Sequence, residues 1–224
     1  MSDKTRKIAV LTGDLVNSTG LGPEKVERAF RALEDCAEMQ AEWMDGQSLH
    51  FTRHRGDGWQ VALAEPKYAL RSALCFRAAL RALGGEFDSY IGIAEGEVKG
   101  EIGPDLNDET SIAFATSGTL LEYAKKSELR FWHTNVSIKA GTEGTVKDGE
   151  MSALFVFADI LSRDWTQIQA QTIFQFLPLK KPTQEEVGAQ LKKSRQAIGK
   201  TLSSTRFTEV LYALRMIEAS DHYA

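Results

Sequence analysis

The tripeptide Gly56-Asp57-Gly58 constrains this 224-residue chain more than any other short segment. It separates residues 50–55 from residues 59–63, two runs of strand-forming side chains. Asp-Gly between such runs predicts an antiparallel hairpin, because glycine accepts the positive φ of a tight turn. A hairpin here excludes a sheet made only of right-handed βαβ units. Residues 8–12 form an apolar run that ends at Gly13-Asp14, which predicts a buried strand meeting a turn. Pro23 opens a helix in which Val26, Phe30, Leu33 and Ala37 recur at helical spacing. Residues 67–83 predict an amphipathic helix (Leu70, Leu74, Ala78, Leu83) closed by Gly84-Gly85. A strand over 90–98 and a helix over 111–127 follow, the helix with Leu120, Leu121 and Ala124 inward. Further strands are expected at 129–132, 136–140 and 152–159. Trp43, Trp59, Trp132 and Trp165 are assigned to the core or its edge. The expected class is α/β (α+β): a mixed, largely antiparallel sheet with helices over residues 1–160, and an all-α domain over 161–224, joined near residues 160–164.

The last quarter has its own signature. Residues 165–177 are amphipathic, with Trp165, Ile168, Thr172 or Ile173, and Phe176 on one face, and Pro178 stops the run. Thr183 and Glu186 have capping-box spacing. Val187 and Leu191 lie one turn apart, and Gly188 leaves room for a crossing helix. Ser194 then caps a second helix, with Ala197, Ile198 and Leu202 inward. Two short helices joined by a tight turn have helix-turn-helix geometry. The net charge of −4 also divides unevenly: residues 180–206 carry seven basic and two acidic side chains. An acidic body with a basic end suits contact with a polyanion. In such a unit the second helix enters the major groove by its N-terminal end. Ser194, Arg195 and Gln196 would face base edges, with Arg195 suited to guanine and Gln196 to adenine. Lys192, Lys193, Lys200 and Arg206 would meet phosphates. The turn departs from the usual pattern, since Lys192-Lys193 stands where a glycine and an apolar residue are common.

Three N-terminal segments carry a further resemblance: residues 11–19 (Asp14, Asn17, Ser18, Thr19), residues 55–60 (Gly56, Asp57, Gln60) and residues 91–98 (Gly92, Gly96, Glu97, Val98). Together they resemble the class III nucleotidyl cyclase homology domain. With Ser117-Gly118 and the C-terminal helix pair, the chain more closely resembles the SatD-like family of bacterial proteins. The resemblance implies a cyclase/ferredoxin-like sheet on which Asp14 and Asp57 hold Mg²⁺ between them. Two carboxylates side by side repel unless a cation neutralises them, and Mg²⁺ suits oxygen ligands and nucleotide phosphates. Asn17, Ser18, Thr19 and Gly56 are the candidate nucleotide-binding residues. Active cyclases also carry an Asn and an Arg on the helix after the third motif. Alignment puts Ala115 and Thr119 there, and neither can donate as arginine does. Lys125 and Arg130 are the candidates to replace the arginine. Asp57 could equally do no more than turn a hairpin.

Two functions follow, beside a plain interaction protein in which neither site works. The first is a DNA-binding transcriptional regulator, homodimeric through its N-terminal domain, whose cyclase-like part binds a nucleotide. The alternative is an active nucleotidyl cyclase or nucleotidyltransferase using Asp14 and Asp57 with two Mg²⁺ ions. No phosphate-loop or nucleophile-elbow motif occurs. His50 and His54 share a strand face but read as packed or solvent-facing imidazoles. No apolar run approaches the ~18 residues of a membrane span. Cys36 and Cys75, in helical stretches, read as buried thiols of a cytoplasmic protein.

Overall fold

The computed structural model describes residues 5–44, 49–54, 56–137, 145–147 and 149–220. Among the described residues six strands form one sheet in the order β2-β3-β1-β4-β5-β6. They are β1 (Thr5–Leu15), β2 (His50–Arg53), β3 (Gly58–Leu63), β4 (Ser89–Lys99), β5 (Phe131–Ser137) and β6 (Thr145–Lys147). Every neighbouring pair is antiparallel except β4 and β5. The Asp-Gly hairpin forms between β2 and β3, with Gly56 at φ 81° in its turn. Arg55 and residues 138–140, which the expected strands included, lie outside the described residues.

The sheet has two differently covered faces. Ile8, Val10, Ala62 and Val98 face α4 (Ile112–Lys126), where Ala113 and Phe114 complete a small core. This helix comes so close that a Cβ on Gly92 would lie 2.1 Å from the Ser117 carbonyl oxygen. The glycine at 92 is thus a packing requirement. The opposite face, with Ala9, Leu11, Leu15, Trp59 and Ile93, carries the main core. Against it lie α2 (Pro23–Ala41), α3 (Ala69–Leu83) and α5 (Glu150–Ser162), while α1 (Ser18–Leu21) is a single turn leading into α2.

Three expectations are corrected. The segment 152–159 belongs to helix α5, not to a strand. It is a nearly unbroken apolar run, in which a strand and a helix cannot be told apart by periodicity. The first strand does not turn at Gly13 but runs on to Leu15. Gly13 instead makes room for the Trp59 indole, which would lie 2.1 Å from a Cβ there. Helix α3 is enclosed on nearly all sides rather than amphipathic. Its charges are neutralised by distant partners: Arg71 pairs with Glu218 at 2.6 Å, and Arg77 with Asp159 at 2.7 Å.

Four helices end the chain: α6 (Gln167–Phe176), α7 (Gln184–Leu191), α8 (Arg195–Ser204) and α9 (Phe207–Glu218). Trp165, Ile173, Val187, Ile198, Leu202 and Phe207 are buried in a core continuous with that of the sheet. Ile168 and Ala197 are exposed instead of inward. In α6, Ala170, Thr172 and Ile173 form the buried side. Arg71 donates to the Leu177 carbonyl at 2.6 Å, tying α3 to the end of α6. Cys36 and Cys75 are both buried and free, as expected. No helix among the described residues is long and apolar enough to cross a membrane.

Candidate nucleotide and nucleic-acid sites

Asp14 ends up at the sheet's end for a reason of register. It is the last β1 residue facing the α4 side, and it pairs with Gly58, the first residue of β3. Asp57 precedes that glycine in the turn, so the hairpin delivers a second carboxylate to the same end. The Leu15 amide donates to the Asp57 carbonyl at 3.1 Å, fixing the turn against β1. The Ser18 hydroxyl donates to the Asp57 carboxylate. Burial pushes the Asp14 carboxyl above its ordinary value, and the Asp57 charge adds to that rise. The cation beside it is Lys125, whose Nζ lies 3.1 Å from Asp14 Oδ2 and which pulls the value back down.

Asp14 and Asp57 therefore lie at the same end of the sheet, near enough for the Asp57 charge to act on the Asp14 carboxyl. Two adjacent oxygen donors of like charge fit a hard divalent cation. Among the described residues no cluster of three or more carboxylate, histidine or cysteine side chains is placed to hold a metal. Phosphate oxygens and water would have to complete the shell.

The expected phosphate cradle is only partly available. The Leu15 and Val16 amides donate to the carbonyls of Asp57 and Asp88, at 3.1 and 2.9 Å. Asn17 has the left-handed conformation (φ 53°), and its side chain crowds Gly20. Thr19 and Gly56 are exposed, and no heavy atom lies within 4 Å of a Cβ built on Gly56. Of the two candidates for the missing arginine, Lys125 reaches Asp14. Arg130 instead lies over the Tyr90 ring, 4.3 Å from its centroid. Thr119 is exposed and donates to the Ala115 carbonyl at 3.1 Å.

Behind the carboxylates lies a buried polar chain that the sequence reading missed. Gln60 Nε2 donates to Thr12 Oγ1 at 2.8 Å, and Thr12 Oγ1 lies 2.7 Å from Ser117 Oγ. It links β3, β1 and α4 directly beneath the end where Asp14 emerges. Alternation along β1 was the available signal, since Thr12 and Asp14 share a face.

At the other end of the chain, α7 and α8 are joined by three residues. Thr183 and Glu186 form the expected capping box, and Ser194 accepts from the Ala197 amide at 3.2 Å. A Cβ on Gly188 would lie 2.7 Å from the Lys193 carbonyl oxygen, so the turn folds tightly over that glycine. Lys192 adopts φ 55°, the conformation usually left to glycine. Lys193 is half-buried, and its ammonium is sequestered from solvent. Its stem thus takes the apolar residue's place, which argues against a phosphate contact there. Lys192, Arg195, Gln196, Lys200 and Arg206 are exposed. Arg195 is paired with Glu185 at 2.9 Å, and Arg206 with Glu209 at 3.6 Å.

No protein-family model matches the chain, and no curated protein matches it significantly. Solved structures are similar in fold. One, a bacterial light-regulated adenylyl cyclase, shares 16% identity at TM-score 0.43, covering 58% of this chain and 77% of that one. Another structure of the same description shares 12% identity at TM-score 0.46, covering 79% of this chain and 59% of that one. The guanylyl cyclase Cya2 shares 21% identity at TM-score 0.38, covering 67% and 96%. At such scores and identities the likeness transfers no activity.

Proposed function

We propose that the Asp14–Asp57 end of the sheet binds a nucleoside triphosphate through Mg²⁺, and that the α7–α8 unit binds duplex DNA. The observation that carries the first part is the convergence of the two carboxylates from β1 and the hairpin turn. When bound, the ion would supply positive charge to the phosphates. Asp14 and Asp57 would hold it, with Ser18 orienting Asp57. Asn17, Thr19 and Gly56 line the same end. Lys125 would exchange its pairing with Asp14 for a phosphate oxygen.

The DNA part rests on the tight, doubly capped α7–α8 crossing and on the exposed Lys192, Arg195, Gln196, Lys200 and Arg206. Binding through α8 requires Arg195 to leave Glu185 for a base edge, a small cost for a pair this exposed. We further propose a homodimer, because two modules on adjacent half-sites supply affinity that one cannot. The exposed apolar side of α5 (Phe157, Ile160, Leu161) supports an interface on the N-terminal domain. Light scattering at micromolar concentration tests the dimer; a strictly monomeric mass contradicts it.

A second reading is the active cyclase or nucleotidyltransferase, and the paired carboxylates favour it as much as they favour simple binding. Among the described residues the cation paired with Asp14 is a lysine, Lys125, and not a guanidinium. Incubation with each nucleoside triphosphate plus Mg²⁺ or Mn²⁺ separates the readings. The regulator binds without turnover, whereas the enzyme releases pyrophosphate, and Asp57→Asn abolishes that release.

A further inference from the structure

On the face of the sheet away from Asp14, β4 and β5 run parallel. His133 pairs in register with Ile93, and Glu95 lies two residues further along the same face. His133 Nε2 is 3.0 Å from Glu95 Oε1. Helix α5 covers this face and meets the imidazole twice at helical spacing. Phe155 stacks on the ring, with centroids 4.2 Å apart and planes 4° from parallel, so the plane of the imidazole is fixed. Ser152, one turn earlier, brings its Oγ to 3.1 Å from His133 Nδ1. The same hydroxyl donates to the His133 carbonyl at 2.9 Å. Its hydrogen can rotate between these two acceptors of one residue.

A hydroxyl, an imidazole and a carboxyl, each within hydrogen-bond reach of the next, form the arrangement of an activated nucleophile. Donation from Nε2–H to Glu95 leaves the Nδ1 lone pair facing the hydroxyl, as a general base requires. Glu95 and His133 are 3% and 4% exposed, whereas Ser152 is half-buried. Ser152 opens, with Leu129, Trp132 and Val156, onto a cavity of about 360 Å³. That volume is within the range of small-molecule sites. Ser152 also lies in the first turn of α5, where the Ala153 amide bonds the Gly149 carbonyl at 3.2 Å. The positive end of the helix dipole there favours an oxyanion beside Ser152.

We propose that Ser152, His133 and Glu95 form an acyl-transfer site that hydrolyses carboxylic esters. Ser152 Oγ bonds to the acyl carbon and its proton passes to His133 Nδ1. The ester C–O bond breaks, and the departing alcohol takes that proton. Water then adds to the acyl carbon, giving its proton to Nδ1, and Ser152 Oγ leaves and recovers the proton. Ester and water become acid and alcohol. Glu95 is the positioning residue, holding the imidazole through Nε2. The acyl group packs on Leu129, Trp132 and Val156. The sheet separates this site from Asp14 and Asp57, and the reaction uses neither Mg²⁺ nor DNA.

The test uses the full chain with p-nitrophenyl acetate and p-nitrophenyl butyrate in the presence of EDTA, together with a fluorophosphonate label. Nitrophenol release is saturable, and peptide mass spectrometry finds the phosphonyl group on Ser152. Ser152→Ala, a half-buried loss of one oxygen whose folding circular dichroism checks, abolishes the label and lowers turnover about a hundredfold or more. Glu95→Gln lowers kcat about tenfold or more at unchanged KM, as loss of an interaction made only in the transition state requires. No turnover of either ester, a label found elsewhere than on Ser152, or turnover that survives Ser152→Ala overturns the proposal. EDTA removes the divalent ion, so none of these outcomes bears on the metal–nucleotide site.

Discussion

Lys125 Nζ lies 3.1 Å from Asp14 Oδ2, so α4 supplies an internal cation to a carboxylate delivered by β1. Burial is the larger influence on Asp14, and its carboxyl stays above the ordinary value of 3.8 despite the lysine. The native state therefore holds this proton to higher pH than the unfolded chain does. Asp14 accordingly contributes a loss of stability as pH rises from 3.8 through its raised folded value, and none below. Lys125→Met should raise the Asp14 value further. Carboxyl carbon chemical shifts against pH measure both, and an unshifted Asp14 in the variant contradicts the pairing.

The Arg77–Asp159 pair is wholly buried, with both side chains 0% exposed. Arg77→Met leaves the Asp159 carboxylate with Arg163 at 2.7 Å and the Arg130 amide at 3.2 Å. Loss of one partner from a buried pair typically costs about 3–5 kcal/mol. Because these partners remain, the lower end is expected in urea melts. A double variant with Asp159→Asn should cost clearly less than the two single costs together.

Glycines 92 and 118 should respond oppositely to alanine. At Gly92 the new methyl would collide with the α4 backbone, and overpacking of this kind costs about 1–3 kcal/mol. At Gly118 no heavy atom lies within 4 Å of the added carbon. Gly118→Ala should therefore stabilise helix α4 by about 0.5–1 kcal/mol. Thermal melts of both variants check the pair.

The turn between α7 and α8 separates two lysines that are adjacent in sequence. Lys192→Ala and Lys200→Ala should each lower the slope of log K against log salt by about 0.9. Lys193→Ala should leave the slope unchanged, because its ammonium is turned inward. Arg195→Ala should cost about 1–3 kcal/mol on a selected site and relax specificity there. Lys192→Gly should relieve the left-handed backbone and raise the melting temperature while still losing its salt contribution. Salt titrations by fluorescence anisotropy distinguish these outcomes.

Local chemistry accounts for what the sequence made legible. Asp-Gly marked the β2–β3 hairpin, and the Thr183–Glu186 and Ser194 caps marked α7 and α8, because each signal lies within a few residues. Helix α5 was illegible as a helix because Leu154, Phe155, Val156 and Phe157 are all apolar and leave no period to read. The enclosure of α3 was hidden because Arg71 and Arg77 find their carboxylates at Glu218 and Asp159, far along the chain. The same distance hid the Thr12–Ser117 link and the Glu95–His133 pair. Asp14 and Asp57 were legible through their motifs. Whether Lys125 or Arg130 reached Asp14 depended on where α4 ended relative to the sheet, which the Gly92 crossing fixes.

The central claim is that Asp14 and Asp57 share a divalent cation that carries a nucleotide. The most direct measurement is a Mn²⁺ titration followed by electron paramagnetic resonance, with and without a non-hydrolysable triphosphate analogue. The account predicts saturable Mn²⁺ binding that tightens with the analogue and is lost in both Asp14→Asn and Asp57→Asn, each still folded by circular dichroism. Mn²⁺ binding that survives both substitutions, or its absence from the unaltered protein, would contradict it.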